Sequence, residues 1–203
     1  MVKVAGMGSR LVRGTAIGCG VAALVGGGVG FAVGEPVTAD DIVPARTLPA
    51  DLCARIGDVA NLLPKASSGP VTMAQSGTTT VTCTAASSPA KVRAYTAASV
   101  KVSITAYGGL DAGAGNAPFT PTQVAERTFS RSTMEKYDEN RPYPTRAGRT
   151  ASGLAGESWR VHTLVQRADI VVLVDYTANP VDADTAQQAA LALADRAIWE
   201  SKQ

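Results

Sequence analysis

Histidine is the scarcest titratable residue in this chain of 203 residues, because His162 is the only one. A Ser–His–Asp site would have to use His162, and a zinc site usually takes three or four His or Cys ligands. The sequence contains no G-x-S-x-G motif, and its glycine-rich "GLDAGAG" matches no phosphate-binding loop. We therefore predict a non-catalytic protein with no catalytic, cofactor-binding or metal-binding residues.

The fraction of aromatic residues and the net charge are also low. Aromatic residues make up 5% of the chain, so the core must be built from Ala, Val, Leu and Ile. Three of the 19 basic residues precede residue 14, and the other 16 nearly balance the 17 acidic residues. A nearly neutral chain has no long-range field to attract nucleic acid. We therefore predict no nucleic-acid partner.

The N-terminal part contains a long apolar run, residues 14–34, "GTAIGCGVAALVGGGVGFAVG". Lys3, Arg10 and Arg13 precede it, and the first acidic residue, Glu35, follows it. By the positive-inside rule the N-terminus stays in the cytoplasm and the rest is exported. A run of about 20 residues is long enough to cross about 30 Å of hydrocarbon as a helix. The chain from residue 35 onward is therefore predicted to lie outside the cytoplasm.

Two fates of residues 1–34 stay open. The small residues of "AVG" at 32–34 suit signal-peptide cleavage, whereas the length of the run suits a retained N-terminal membrane anchor. Lipidation at Cys19 is disfavoured, because two arginines and no apolar region precede that cysteine. The localisation is thus the cell membrane, facing outside the cytoplasm, or secretion.

Small residues recur every fourth position in the apolar run, which would place them in one stripe along a helix. Such a stripe lets a second helix approach closely. One interpretation is self-association of the anchor, and the other is chance in a segment rich in Gly and Ala. The helix-packing residues of the first interpretation are Gly18, Gly26, Gly30 and Gly34, within a repeat that also includes Gly14 and Ala22.

The exported part is predicted to begin with a linker, residues 35–47, followed by one domain, residues 48–203. Leu52, Ile56, Val59 and Leu63 have helical spacing, and Ser76–Gly77 marks the turn of a hairpin. Further on, a strand is predicted from apolar residues that alternate with polar ones; they are Val100, Val102, Ile104 and Ala106.

The second helix has the clearest start signal. Thr120, Pro121 and Gln123 form a capping box with proline at the first helical position. Its predicted apolar face comprises Ala125, Phe129, Thr133 and Tyr137.

The last third of the chain is predicted to end in a hairpin and a helix. In "ESWRVHTLVQRADIVVLVDYTA" two strands meet near Arg167–Ala168, and "IVVLV" indicates a central strand because it is apolar on both faces. A helix follows Pro180, with Asp184 and Gln187 as a second capping box. The fold class is thus α+β, an antiparallel sheet flanked by helices in the order α-ββ-β-α-ββ-α, preceded by the transmembrane or signal helix.

An interaction segment is predicted at residues 138–156, a long stretch without periodicity. Its residues Arg141, Tyr143, Arg146 and Arg149 suit an anionic or aromatic partner. The alternative is a solvated loop with no partner.

Cys53 and Cys83 are the two cysteines of the exported part. In an oxidising compartment such a pair favours a disulfide, here closing a loop of about 31 residues. Two buried thiols are the alternative, and a redox pair would need closer spacing.

Several short motifs resemble a known group. "DLCARIGDVANLL", "VTCTA", "GLAGESW" and "ADIVVLVDYTA" occur in the order found in actinobacterial cell-envelope proteins of unknown function, often lipoproteins. The resemblance covers about residues 48–200, and two departures from the group's pattern are the missing lipidation signal and the missing tryptophan after Cys83. It implies the α/β/α sandwich of the Mog1/PsbP-like proteins and a non-enzymatic accessory domain.

Together these patterns predict an extracytoplasmic accessory or binding module of the bacterial cell envelope, membrane-tethered or secreted. Its partners would be the membrane, through the N-terminal helix, and an unknown envelope protein or ligand. One alternative is an envelope hydrolase that uses His162. The other is a membrane structural protein that self-associates through the glycine stripe.

Overall fold

The computed structural model describes residues 39–57, 71–75, 77–86, 98–113, 115–137, 140–151, 158–179 and 181–202. All of them belong to one unit, Ala39–Gln203. The predicted signal peptide or anchor, Cys19 and the glycine stripe lie outside these residues. No helix among the described residues is long and apolar enough to cross a membrane.

A seven-stranded antiparallel sheet is the centre of the fold. Its strands run in the spatial order β1-β2-β3-β7-β6-β5-β4, and every neighbouring pair is antiparallel. The strands are β1 (Val71–Gln75), β2 (Thr78–Ala86), β3 (Ala98–Tyr107), β4 (Glu135–Lys136), β5 (Thr145–Ala151), β6 (Trp159–Arg167) and β7 (Ile170–Ala178).

Helices cover the sheet on both sides. The helices are α1 (Leu52–Gly57), α2 (Pro121–Ser130) and α3 (Ala183–Glu200). Helices α1 and α3 pack on one face within the large core, and α2 packs on the opposite face within a smaller cluster. The predicted α+β class, an antiparallel sheet flanked by helices, is confirmed. The predicted element order lacked β4 and β5, which the structure adds between α2 and β6.

Strand β7 occupies the middle of the sheet, between β3 and β6, as "IVVLV" predicts. Val172 and Val174 are buried on the face covered by α3, while Val171 and Leu173 contact the cluster around α2. Both faces of this strand therefore need apolar side chains. The neighbouring strand β3 shows the predicted alternation, with its four inward residues almost fully buried; they are Val100, Val102, Ile104 and Ala106.

Two tight turns connect neighbouring strands. Between β1 and β2 the chain turns through Gly77, whose φ of +77° is a conformation that favours glycine. Between β6 and β7 it turns through Ala168, whose φ of 48° is unusual for a residue with a side chain. The Gln166 amide donates to the Ala168 carbonyl over 2.7 Å and so braces that turn.

The helix caps agree with the sequence at α2 and differ from it at α3. Thr120 and Gln123 form both hydrogen bonds of the capping box. Because α2 ends at Ser130, the assignment of Thr133 and Tyr137 to its face was wrong. Helix α3 begins two residues earlier than predicted, because Asp182 is its cap and accepts from the Thr185 backbone N–H over 2.8 Å.

Part of the predicted linker is docked on the domain. Residues 42–46, here called the strap, run along the end of β3, where Gly109 donates to the Val43 carbonyl over 2.7 Å. A Cβ on Gly108 would lie only 2.7 Å from the Ala45 backbone nitrogen, so glycine is what permits this approach. Arg46 also pairs with Asp169 at 2.9 Å. The packed domain thus includes residues that precede position 48.

The predicted disulfide between Cys53 and Cys83 is present, with the two Cα atoms 5.4 Å apart. It joins α1 to β2. Leu52 and Ile56 of α1 are 0% and 1% exposed, so the helix is also held by burial. The bond therefore fixes an already packed element to the sheet.

Candidate functional site

One half of the sheet's second face is polar. Helix α2 covers the other half of that face, where Ala125 packs on Leu164 and Val171. Beyond this cluster, among the described residues, no helix packs on this second face at the ends of β3, β6 and β7. We call this region the polar face; its side chains are Thr84, Ser99, Lys101, Arg160, His162, Asp175 and Thr177.

Strand register brings these side chains together. Lys101 of β3 lies opposite Asp175 of β7, which in turn lies opposite His162 of β6. One row along, Thr177 lies between Ser99 and Arg160. Residues opposite each other on antiparallel strands have Cβ atoms about 4.5–5.5 Å apart, and diagonal neighbours are still within reach of long side chains. Thr84 of β2 lies opposite Lys101, so the polar face is a single cluster drawn from four adjacent strands.

Asp175 is the hub of the cluster. It accepts from Arg160 Nε and Nη2, each over 3.2 Å, and its Oδ1 lies 3.1 Å from His162 Nδ1. This fork-to-fork contact with the carboxylate raises the pKa of Arg160. Arg160 remains about half exposed, at 54%, while Asp175 is 25% exposed. The carboxylate thus fixes the orientation of a guanidinium that still faces solvent.

A groove of about 350 Å³ lies over one side of this cluster. Such a volume is at the lower end of the range for small-molecule sites. The side chains of Ala85 and Val100 point into the core, so these residues contribute backbone atoms. The groove is lined by Thr84, Ala85, Ala86, Ser99, Val100, Lys101, Arg160, Asp175 and Thr177. Six of the nine lining residues thus carry a hydroxyl or a charged group.

The contact between His162 and Asp175 is two thirds of a Ser–His–Asp arrangement. A triad needs a hydroxyl that bonds to the other imidazole nitrogen. In the part of the chain that the structure describes, no Ser or Thr hydroxyl bonds to His162. The described residues therefore do not assemble a triad around His162. They also contain no group of three or more His, Cys, Asp or Glu that could hold a metal ion.

The interaction segment predicted at 138–156 is largely ordered structure. Residues 145–151 form β5, paired with β6, so the prediction of an irregular segment was wrong there. Thr145 and Ala147 are buried on one face of the strand, a short alternation that glycine and arginine obscure in the sequence. Residues 138–139 and 152–156 lie outside the described part.

The first two predicted interaction residues have internal contacts. Arg141 donates to Asp195 over 2.5 Å and to the Thr145 hydroxyl over 2.9 Å, and its side chain is only 12% exposed. Tyr143 packs against the core, with the Arg167 guanidinium 5.7 Å from its ring centroid. Both residues thus hold the approach to β5 against the domain.

Arg146 and Arg149 lie on opposite faces of the sheet. Arg146 donates to the Met134 carbonyl over 2.9 Å, beside the ring of Phe129 on the α2 side. Arg149 pairs with Asp184 of α3 at 2.6 Å. The structure therefore does not bring the four predicted residues into one surface.

Sequence reasoning did not identify Lys101, Arg160, Asp175 and Thr177 as a cluster. The outward positions of β3 and β6 are visible as polar residues between apolar ones. What the sequence does not show is which outward positions lie opposite each other, because that depends on the order and register of strands distant in the chain.

Comparison of the chain with protein-family models, with curated proteins and with solved structures finds no match. The resemblance to actinobacterial envelope proteins stays a prediction that depends on the motifs quoted above.

Proposed function

We propose that this protein is an extracytoplasmic accessory or binding module of the bacterial cell envelope, membrane-tethered or secreted. It would bind a ligand or an envelope partner through the polar face and would not catalyse a reaction. The single observation that carries the proposal is the polar cluster around Asp175, with its groove, on a half-face that no described helix covers.

The disulfide supports the compartment. Disulfides form and persist outside the reducing cytosol, and a structural disulfide between distant residues is typical of exported domains. The Cys53–Cys83 bond is of this kind, since 30 residues separate its ends. The charge pattern around residues 14–34 supports the same side of the membrane.

The character of the polar face supports binding. Functional side chains are often presented on a rigid scaffold, and Arg160, Asp175 and Thr177 belong to strands in the middle of the sheet. The apolar side chains of these strands pack in the core on the other face or in the smaller cluster under α2, so the exposed cluster has no role in core packing. A polar, ordered and accessible cluster of this type is suited to recognising a partner of complementary charge.

The contact between Asp175 and His162 favours one second candidate, an envelope hydrolase. An aspartate that bonds to Nδ1 orients an imidazole for general-base catalysis. The guanidinium of Arg160 bonds to both oxygens of the same carboxylate, so Asp175 does not serve the imidazole alone, which weakens this support. A His162→Ala variant that complements a deletion strain as fully as wild type would exclude this candidate.

Complementation in the native host tests the proposal. Chains carrying Lys101→Met with Arg160→Gln would replace wild type in a deletion strain, with protein level and export measured in parallel. We expect this variant to fail to rescue the deletion phenotype, although the protein is still produced and exported. The matched control is Lys202→Met with Arg149→Gln, since Arg149 is also a half-exposed strand arginine paired with an aspartate.

Full rescue by the variant with Lys101→Met and Arg160→Gln would refute binding through the polar face. Equal failure of this variant and the control would refute it as well, because the effect would then not depend on the polar face.

A further inference from the structure

We propose that the groove of the polar face binds the carboxylate group of a small organic anion between Lys101 and Arg160. This inference rests on the proposed function and adds to it the chemical class of the ligand. It follows from the donors that the groove presents, from their charge and from the fixed orientation of Arg160.

The groove carries an excess of positive charge. Lys101 and Arg160 are cationic and Asp175 is the single carboxylate among the lining residues. Asp175 takes Nε and one N–H of Nη2 from Arg160, which leaves Nη1 without a partner among the described residues. The exposed Lys101 ammonium likewise makes no ion pair within the described part of the chain. Two cationic donors are therefore free to bind an anion.

The Arg160 guanidinium is held in position before a ligand arrives. The bidentate contact with Asp175 restricts the guanidinium, so less side-chain entropy is lost on binding. The backbones of Lys101 and Arg160 belong to β3 and β6, which flank the central strand β7. This preorganisation distinguishes Arg160 from a solvated surface cation.

Hydroxyl groups add further donors at the same place. Ser99 and Thr177 lie opposite each other, in the row that also contains Arg160. No aromatic ring lines the groove among the described residues. The site is thus built for a polar anionic group.

The charge balance favours a carboxylate over a phosphate ester. Among the lining residues, the two cations and Asp175 leave one net positive charge, which a monoanion neutralises. A dianionic phosphomonoester would add a second negative charge close to the Asp175 carboxylate, and like charges at short range repel. A monocarboxylate therefore fits the groove as it stands.

Binding can be measured by nuclear magnetic resonance on the full chain with its disulfide intact. Acetate and inorganic phosphate would be titrated separately at constant pH and ionic strength. We expect acetate to shift the Arg160 Nε–H signal and the Ser99 and Thr177 amide signals in a saturable way, with weaker binding of phosphate. Asp175→Asn should move the preference toward phosphate, because it removes the repelling charge.

Matched variants separate the site from general surface charge. Lys101→Met and Arg160→Gln should each weaken acetate binding about fivefold to tenfold, the loss expected for one charge-assisted hydrogen bond at a partly exposed site. Lys202→Met and Arg149→Gln should leave it unchanged. Equal losses in both sets, the absence of saturable shifts, or tighter binding of phosphate to wild type would each overturn the inference.

Failure here is distinguishable from failure of the proposed function. If acetate does not bind but complementation still requires Lys101 and Arg160, the polar face binds something other than a carboxylate. If complementation does not require them, the proposed function itself is wrong.

Discussion

Removing the disulfide is the perturbation whose size follows most directly from the structure. In the variant Cys53→Ser with Cys83→Ser, α1 keeps the buried contacts of Leu52 and Ile56. The main loss is then the restriction on the unfolded chain. For ends separated by 30 residues, the chain-entropy relation gives a lower free energy of unfolding by about 3.5–4 kcal/mol.

The assay is reversible thermal and urea denaturation of the oxidised wild type and the double variant. For a domain of this size, 1 kcal/mol shifts Tm by about 2–4 °C, so we expect a drop of roughly 7–16 °C. Wild type with a reducing agent is the control and should melt close to the double variant. A drop below about 2 kcal/mol, the low end of the typical contribution of a disulfide, or a wild-type Tm insensitive to reduction, would refute the reasoning.

Three further perturbations test individual features of the fold. Thr120→Ala removes one half of the capping box and should lower the free energy of unfolding by about 1 kcal/mol in urea denaturation; an unchanged midpoint would contradict the assigned cap. Gly108→Ala should displace the strap, lower the free energy of unfolding by about 1–3 kcal/mol and speed proteolysis at the strap. Gly148→Ala, with open space around its Cβ, should have none of these effects. Burial raises the pKa of Asp195 above its usual 3.8, so protonation of Asp195 favours the folded state. The contribution of protonated Asp195 to the free energy of unfolding is therefore present at acid pH. It is lost as pH rises through the pKa that Asp195 has in the folded state. In urea denaturation repeated at several acid pH values, Asp195→Asn should reduce the decrease in the free energy of unfolding with rising pH. An unchanged pH dependence would contradict the expected role of Asp195.

The sequence predicts those elements whose signals are local. Alternation in β3, the apolar run of β7 and the capping box at Thr120 depend on residues a few positions apart, and all three agree with the structure. Strand β5 was missed because "TRAGRTA" contains no β-branched apolar residue. It is a strand because β6 pairs with it along its full length. The contact of the strap with Gly108 is equally non-local.

The polar face could be predicted only in part. The outward positions of Arg160 and His162 follow from alternation with Val161, and the alternating residues of β3 place Lys101 on an outward face. Their convergence on Asp175 follows from the sheet order, which places β7 between β3 and β6. The arginines of the 138–156 segment predict an interaction surface, yet Arg141 and Arg149 pair with carboxylates of α3. Local charge density does not distinguish a binding surface from internal ion pairs.

The compartment is the claim on which both the disulfide and the proposed function depend. It is tested most directly by mass spectrometry of the protein isolated from its native host, with free thiols blocked at the moment of lysis. The account predicts a peptide pair linked through Cys53 and Cys83, recovered from the extracytoplasmic fraction. Recovery of both cysteines in the blocked, reduced form, or of the chain in the cytosol, would contradict it.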